Sequence, residues 1–492
     1  MSEENMNDEK WKKILESIFG ADKADEMFSR MKNSGFDPAE IANVPLPNSP
    51  FELDFLVNQV KNMLSDSSGP INWKMAQEVA LKDLKNTQPV LTQASNTVKE
   101  SLRAADLWLD SVTSLPPSLA NYQAWTQKEW VENTLEHWKI LFDPVATNYS
   151  KAISTNLMGP ESEDNEGTGY MFLSPDSSSE FSSIEDLMKN KENLMFSGSP
   201  KDVMNKMFST LFGFKVGGAF SKIAKNVFGS NDIGLQLTTK PTTALVVENI
   251  KEFAEELNVP FELATQYLAI IECAYARLFT SVPWLVSSIE NAVEKYASHI
   301  QIDLDSIRSM MEDMGPISIS SMEPDSFLHF MKMESSPEQK QAQENLEFLL
   351  AITQGWVEEV TTNVLLVHLP EALPLREMLQ RRRVTQGPTE YAFKQLVDID
   401  LSPKLIREAR NLWAFILKET SIEERDHYWS HPDIAPRNED LEDVTRFFEY
   451  RQAQALQDEK IDSDLQKLLD GTLGYIDGLD PNQDSEGDQK IK

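Results

Sequence analysis

One cysteine, Cys273, stands in 492 residues, so no disulfide framework can form within a single chain. That absence suits a reducing compartment. The opening MSEENMNDEKWKK lacks the apolar core of a secretory signal, and no apolar run approaches the ~20 residues of a membrane-spanning helix. The expected setting is the cytoplasm. Basic residues are also scarce: 46 Lys and Arg face 79 Asp and Glu, for a formal net charge of −33. Sequence-independent nucleic-acid binding needs basic surface to neutralise phosphates, and anionic membranes attract the same sign. Neither partner is expected, and the acidity reads as a device for solubility. Histidine is limited to positions 137, 299, 329, 368, 427 and 431. Only His427 and His431 are four apart, and Pro432 places them in a loop. Gly213, Gly217 and Gly218 are followed by no Gly-Lys-Ser/Thr phosphate loop.

What is present is helical spacing nearly throughout, so the expected fold is mainly α. Residues 1–50 read as an amphipathic arm, with Trp11, Ile14, Leu15 and Ile18 on one stripe, and a Pro-rich linker. Residues 51–157 read as entirely helical, with helices near 89–112, 126–141 and 144–157. Their tryptophans, including Trp130 and Trp138, read as core because no basic or catalytic residues accompany them. Residues 158–200 are rich in Gly, Pro, Ser, Asp and Glu and predict a mobile acidic insertion. Residues 201–452 form the expected helical core, where Gly213 and Gly217 suit a close helix crossing. Residues 233–247 carry the best strand signal, interrupted by Pro241. Residues 453–492 form an acidic tail.

The core centres on 260–280, a helix whose end is marked by Pro283. It contains Ile271-Glu272-Cys273-Ala274-Tyr275. With His at 271 and 275 this would read H-E-x-x-H, in which two imidazoles one turn apart share a zinc ion and the Glu activates water. Cys273 points about 200° away from Ile271 around the helix and should face elsewhere.

Further stretches accompany it: Ser68-Gly69-Pro70-Ile71-Asn72-Trp73, Ala105 to Asp110, Trp125 to Trp130, Ser281 to Leu285, Gln354-Gly355-Trp356-Val357, Arg381-Arg382-Arg383, and Trp429 to Arg451. Over roughly residues 65–451 the chain resembles a zincin-like metalloprotease family found mainly in actinobacteria. The resemblance implies three zinc ligands, an open coordination position and a general base. The matching positions are Ile271, Tyr275 and Gln354, with Glu272 as a vestigial base. Isoleucine cannot ligate zinc, a neutral phenol is a poor ligand, and an amide oxygen is weak. The expectation is therefore a zincin-like protein without zinc or peptidase activity, binding an unknown protein or small molecule. The alternative is an active hydrolase with a rearranged metal site built from Glu272, Glu358, Glu359 and a distant His. Arg381, Arg382 and Arg383, near Arg376, form the one basic cluster; they could clamp a carboxylate or phosphate, or pair with the chain's own acids.

Overall fold

The computed structural model describes residues 69–84, 88–158, 200–299, 336–397, 399, 401 and 403–469. The expected arm over 1–50, the interior of the 158–200 insertion and the tail beyond 469 lie outside them. Two compact units divide between Ala435 and Pro436.

Among the described residues the fold is mainly α, with fourteen helices and two short strands. In the first unit, α1 (Trp73–Asp83) and α2 (Thr92–Leu109) precede β1 (Asn121–Trp125) and α3 (Gln127–Met158). There follow α4 (Pro200–Ala224), β2 (Thr242–Val246), α5 (Val247–Glu256), α6 (Phe261–Ser281) and α7 (Pro283–Ser298). The unit ends with α8 (Pro337–His368), α9 (Leu373–Gln386), α10 (Pro388–Val397), α11 (Pro403–Glu419) and α12 (Ile422–His427).

Two expectations need correction. Residues 51–157 are not entirely helical, because β1 lies among them and pairs in parallel with β2, from Asn121↔Thr242 to Trp125↔Val246. And α3 does not break near 143: Pro144 sits inside one continuous helix. Proline removes a helical hydrogen bond, but Leu141, Phe142, Val145, Ala146 and Tyr149 are all buried around it. At roughly 1.5–3 kcal/mol for each large apolar side chain, that burial outweighs the loss.

The central element is α6. Every residue from Tyr267 to Phe279 is buried, as expected of a helix apolar on all sides. It packs on α2, α8 and β2. Against α2, Arg277 donates to Asp106 Oδ1 at 2.7 Å, Asp110 Oδ1 at 2.8 Å and the Leu115 carbonyl at 3.0 Å. Cys273 Sγ donates to the Leu102 carbonyl at 3.4 Å, away from Ile271 as its helical phase requires. Glycines set the closest crossings. A Cβ on Gly213 would lie 2.6 Å from the Asn72 carbonyl oxygen, and one on Gly217 2.6 Å from that of Ala76, which brings α4 onto α1. Gly355 does the same for α8 on α11, where a Cβ would come 2.6 Å from the Arg410 nitrogen. No single helix among the described residues is long and apolar enough to cross a membrane.

The second unit contains α13 (Asn438–Glu442), a 3-10 turn at Val444–Arg446, and α14 (Phe447–Leu469). Asp440 organises it, accepting from Arg437 N at 2.7 Å and Arg451 Nη2 at 2.9 Å.

Candidate functional site

The loop after α4 is pinned from two sides. On one side β2 holds it: Val246 N donates to the Phe228 carbonyl at 2.8 Å and Ser230 N to the Ala244 carbonyl at 3.0 Å. On the other side Glu272, 2% exposed, reaches in from α6. Its Oε1 accepts from the Ser230 hydroxyl, from Asn231 N at 3.0 Å and from Asn231 Nδ2 at 2.8 Å. Gly229 is required at this contact, because any Cβ there would collide with the carboxylate. Burial raises the Glu272 carboxyl to about 7, although the hydrogen bonds from Ser230 and Asn231 pull the other way. The carboxylate thus serves as an anchor for the loop, with its acceptor capacity directed at protein donors.

The same loop reaches α8. Gly234 has φ of +72°, a left-handed conformation that glycine adopts freely. A Cβ on it would lie 3.1 Å from Gln354 Nε2. Glu272 and Gln354 therefore meet opposite ends of one short loop.

Ile271 and Tyr275 point along a different face of α6, with Tyr267 one turn before them. Tyr275 is fully buried, and its hydroxyl has no hydrogen-bond partner among the described residues. Burial raises its pKa above that of an ordinary tyrosine, so the phenol stays protonated. Beside Tyr267 and Ile271 lies a cavity of about 20 Å³, roughly the volume for one water, also lined by Glu358, Thr361, Arg376, Gln380 and Arg383.

The arginine run fans out as consecutive helical positions must. Arg381 pairs with Glu377 at 2.6 Å on the surface. Arg382 pairs with Glu256 at 3.1 Å and lies over the Phe228 ring. Arg383 alone enters the cavity and pairs with Asp232 at 2.8 Å. Burial works against its charge, but Asp232, Tyr275 and Glu358 hold its pKa above the usual value. No three-arginine clamp is assembled; the arginines facing the cavity are Arg376 and Arg383.

These positions do not fit zinc. The site offers a hydrocarbon, a protonated phenol and an amide where imidazole nitrogen and carboxylate oxygen are needed, with guanidinium groups beside them. Glu272, Glu358 and Glu359 do not converge either. Glu272 holds the loop, Glu358 accepts from Gln380 Nε2 at 3.0 Å, and Glu359 accepts from Asn363 Nδ2 at 3.0 Å. Among the described residues no three His, Cys, Asp or Glu side chains are grouped to hold a metal ion. His137 lies near Glu290, and His368 stacks on Trp108.

Sequence reasoning found Glu272 and its helix but missed Ser230, Asn231 and Asp232. The signal was a small polar run, Gly229-Ser230-Asn231-Asp232, following a helix, which is turn chemistry.

The helical body around α6 is that of a known protein class. The profile of the zincin-like metallopeptidase family matches residues 71–448, and the chain belongs to that family. A solved structure of a candidate hydrolase with a novel fold from Chloroflexus aurantiacus is similar, with 14% sequence identity and a TM-score of 0.51. The match covers 78% of this chain and 99% of that one. No curated protein matches the chain.

Proposed function

We propose that the chain is a zincin-family scaffold that has lost zinc and peptidase activity and acts as a binding or structural protein in the cytoplasm. The observation that carries this reading is the state of Glu272. A catalytic base must be within reach of a water at an open site, but this carboxylate is buried and bound to Ser230 and Asn231. Ile271 and Tyr275, at the matching ligand positions, supply no donor suited to zinc, and the nearby Arg383 disfavours a dication.

Restoring the ligands tests the assignment. The triple change Ile271→His, Tyr275→His and Gln354→Glu should give measurable zinc binding by equilibrium dialysis where the unmodified chain gives none. Recovery should be partial, because groups that orient zinc ligands are worth about 10–100-fold in affinity and Arg383 remains in place. A folded triple variant with no zinc affinity would show that these three positions do not converge.

A further inference from the structure

We infer that the outer edge of β1 pairs with β1 of a second copy of the chain, so that two two-stranded sheets join into one of four strands. β1 carries none of the positions that match zinc ligands, so this interface stands or falls apart from the metal-free reading.

The ladder fixes which way each residue of β1 points its backbone. In a parallel pair, successive residues turn their N–H and C=O groups alternately toward and away from the neighbouring strand. Asn121 N donates to the Pro241 carbonyl at 3.4 Å. Asn121, Gln123 and Trp125 therefore face β2, and Tyr122 and Ala124 face away. The same phase holds on β2, where Ala244 and Val246 turn from β1 and bond the loop after α4, through Ser230 N at 3.0 Å and the Phe228 carbonyl at 2.8 Å. Thus β2 is occupied on both edges and β1 on one. Among the described residues, the outward N–H and C=O groups of Tyr122 and Ala124 have no hydrogen-bond partner. The strand is within reach of solvent: Asn121 is exposed, and Tyr122, Gln123 and Ala124 are half-buried. Its side chains are already engaged. The Tyr122 hydroxyl donates to Asp106 Oδ2 at 2.6 Å, and Trp125 Nε1 to Gln123 Oε1 at 2.7 Å. What is left to pair is main chain, which calls for an extended strand.

Charge and register favour a second copy as that strand. Sheet edges usually carry a lysine, a proline or a bulge that blocks such pairing. Asn121–Trp125 has none of these, and its register is unbroken. Residues 111–127 contain no Asp, Glu, Lys, Arg or His, the longest such run in a chain that is 25% charged and carries −33. Copies of so acidic a chain repel one another, and this neutral strip is where two of them meet with least repulsion. A basic partner, which the net charge otherwise favours, finds no acid on this strand to pair with. The strand also matches itself. When two antiparallel copies are related by a twofold axis at Gln123, Tyr122 of each lies opposite Ala124 of the other. These are the two outward-facing residues, and each such pair exchanges both of its hydrogen bonds. Leu119, two residues before the strand, is 93% exposed with φ of +52°, and a second copy along the edge covers it.

The test is sedimentation velocity of the full chain over a concentration series that spans about 2–200 μM. A weak, reversible dimer is expected, with Kd on the order of 10–100 μM, since five paired residues bury less than the ~1,200 Å² of a stable complex. Hydrogen exchange of the Tyr122 and Ala124 amides should slow as concentration rises through that range. Ala124→Pro removes an outward N–H that the β1–β2 ladder does not use. By symmetry it deletes half of the new bonds, and it should weaken the dimer at least ~10-fold. Leu119→Asp puts a negative charge at both ends of the pairing, and a similar loss is expected. Aspartate tolerates a positive φ, so this variant keeps the fold and carries the test if Ala124→Pro fails to fold. A monomer throughout, a dimer that the folded variants keep at wild-type strength, or a dimer whose Tyr122 and Ala124 amides exchange as fast as in the monomer would each overturn the interface. A monomer in which a synthetic extended peptide of unrelated sequence protects those two amides would assign the edge to a foreign strand and refute self-pairing.

Discussion

Glu272 stands at the glutamate position of the motif and anchors the loop after α4 through Ser230 and Asn231. Its position in Ile271-Glu272-Cys273-Ala274-Tyr275 was legible, because an i, i+4 spacing reports a helix face directly. Its partners were not, since Ser230 and Asn231 reach it through a long-range contact that no local pattern encodes. The anchor role has measurable consequences. Glu272→Ala leaves Asn231 N buried without an acceptor, while the Ser230 hydroxyl and Asn231 Nδ2 keep only contacts of 3.2 Å to the Thr242 carbonyl and Ser230 Oγ. The substitution should cost about 1–3 kcal/mol in chemical denaturation. Glu272→Gln keeps one acceptor oxygen and should cost far less. The pH dependence has a defined sign. Burial raises the folded carboxyl to about 7, above its unfolded value. Its contribution to stability is complete below about pH 4.5 and is lost as pH rises through 7. Relative to wild type, Glu272→Gln should therefore gain on the order of 3 kcal/mol between pH 4.5 and 8. A constant difference across that range would mean that the glutamate is ionised throughout.

Elements were legible where they are long and one-sided in chemistry. The central helix α6 declared itself by apolar residues on every face, and α8 by leucines and valines at helical spacing. The strand β1 was missed because Asn121–Trp125 is five residues without alternation, and its partner β2 lies more than a hundred residues away. Pro144 misled because local propensity was overridden by burial on both sides. The glycine crossings could be suspected from sequence, but the structure decides which glycine matters. On Gly355 a Cβ would press on backbone atoms of Ala409 and Arg410, which cannot rotate away. Gly355→Ala should destabilise by about 1–3 kcal/mol despite better helix propensity. Gly218 has nothing within 4 Å of its would-be Cβ, so Gly218→Ala should stabilise by roughly 0.5–1 kcal/mol. Thermal melts of the two variants should move in opposite directions. If both rise, α8 and α11 do not cross as closely as described.

For the whole molecule, family membership was legible from motifs scattered in order along the chain, while the proposed loss of metal chemistry has to be argued from the residues at the ligand positions. The excess of acid has its own consequence. A formal charge of −33 repels itself in the compact state, and this repulsion is screened as the Debye length falls from about 30 Å at 0.01 M salt to about 8 Å at 0.15 M. The melting temperature should rise over that interval; a fall would show that attractive surface ion pairs dominate.

The central claim is that a zincin scaffold persists here after its metal chemistry has gone. Elemental analysis of the purified full-length chain, produced with zinc in the medium and never exposed to chelator, tests it most directly. The account predicts far less than one zinc per chain and a melting temperature that chelator does not change. One zinc per chain, with peptide cleavage abolished by chelation and restored by added zinc, would contradict it.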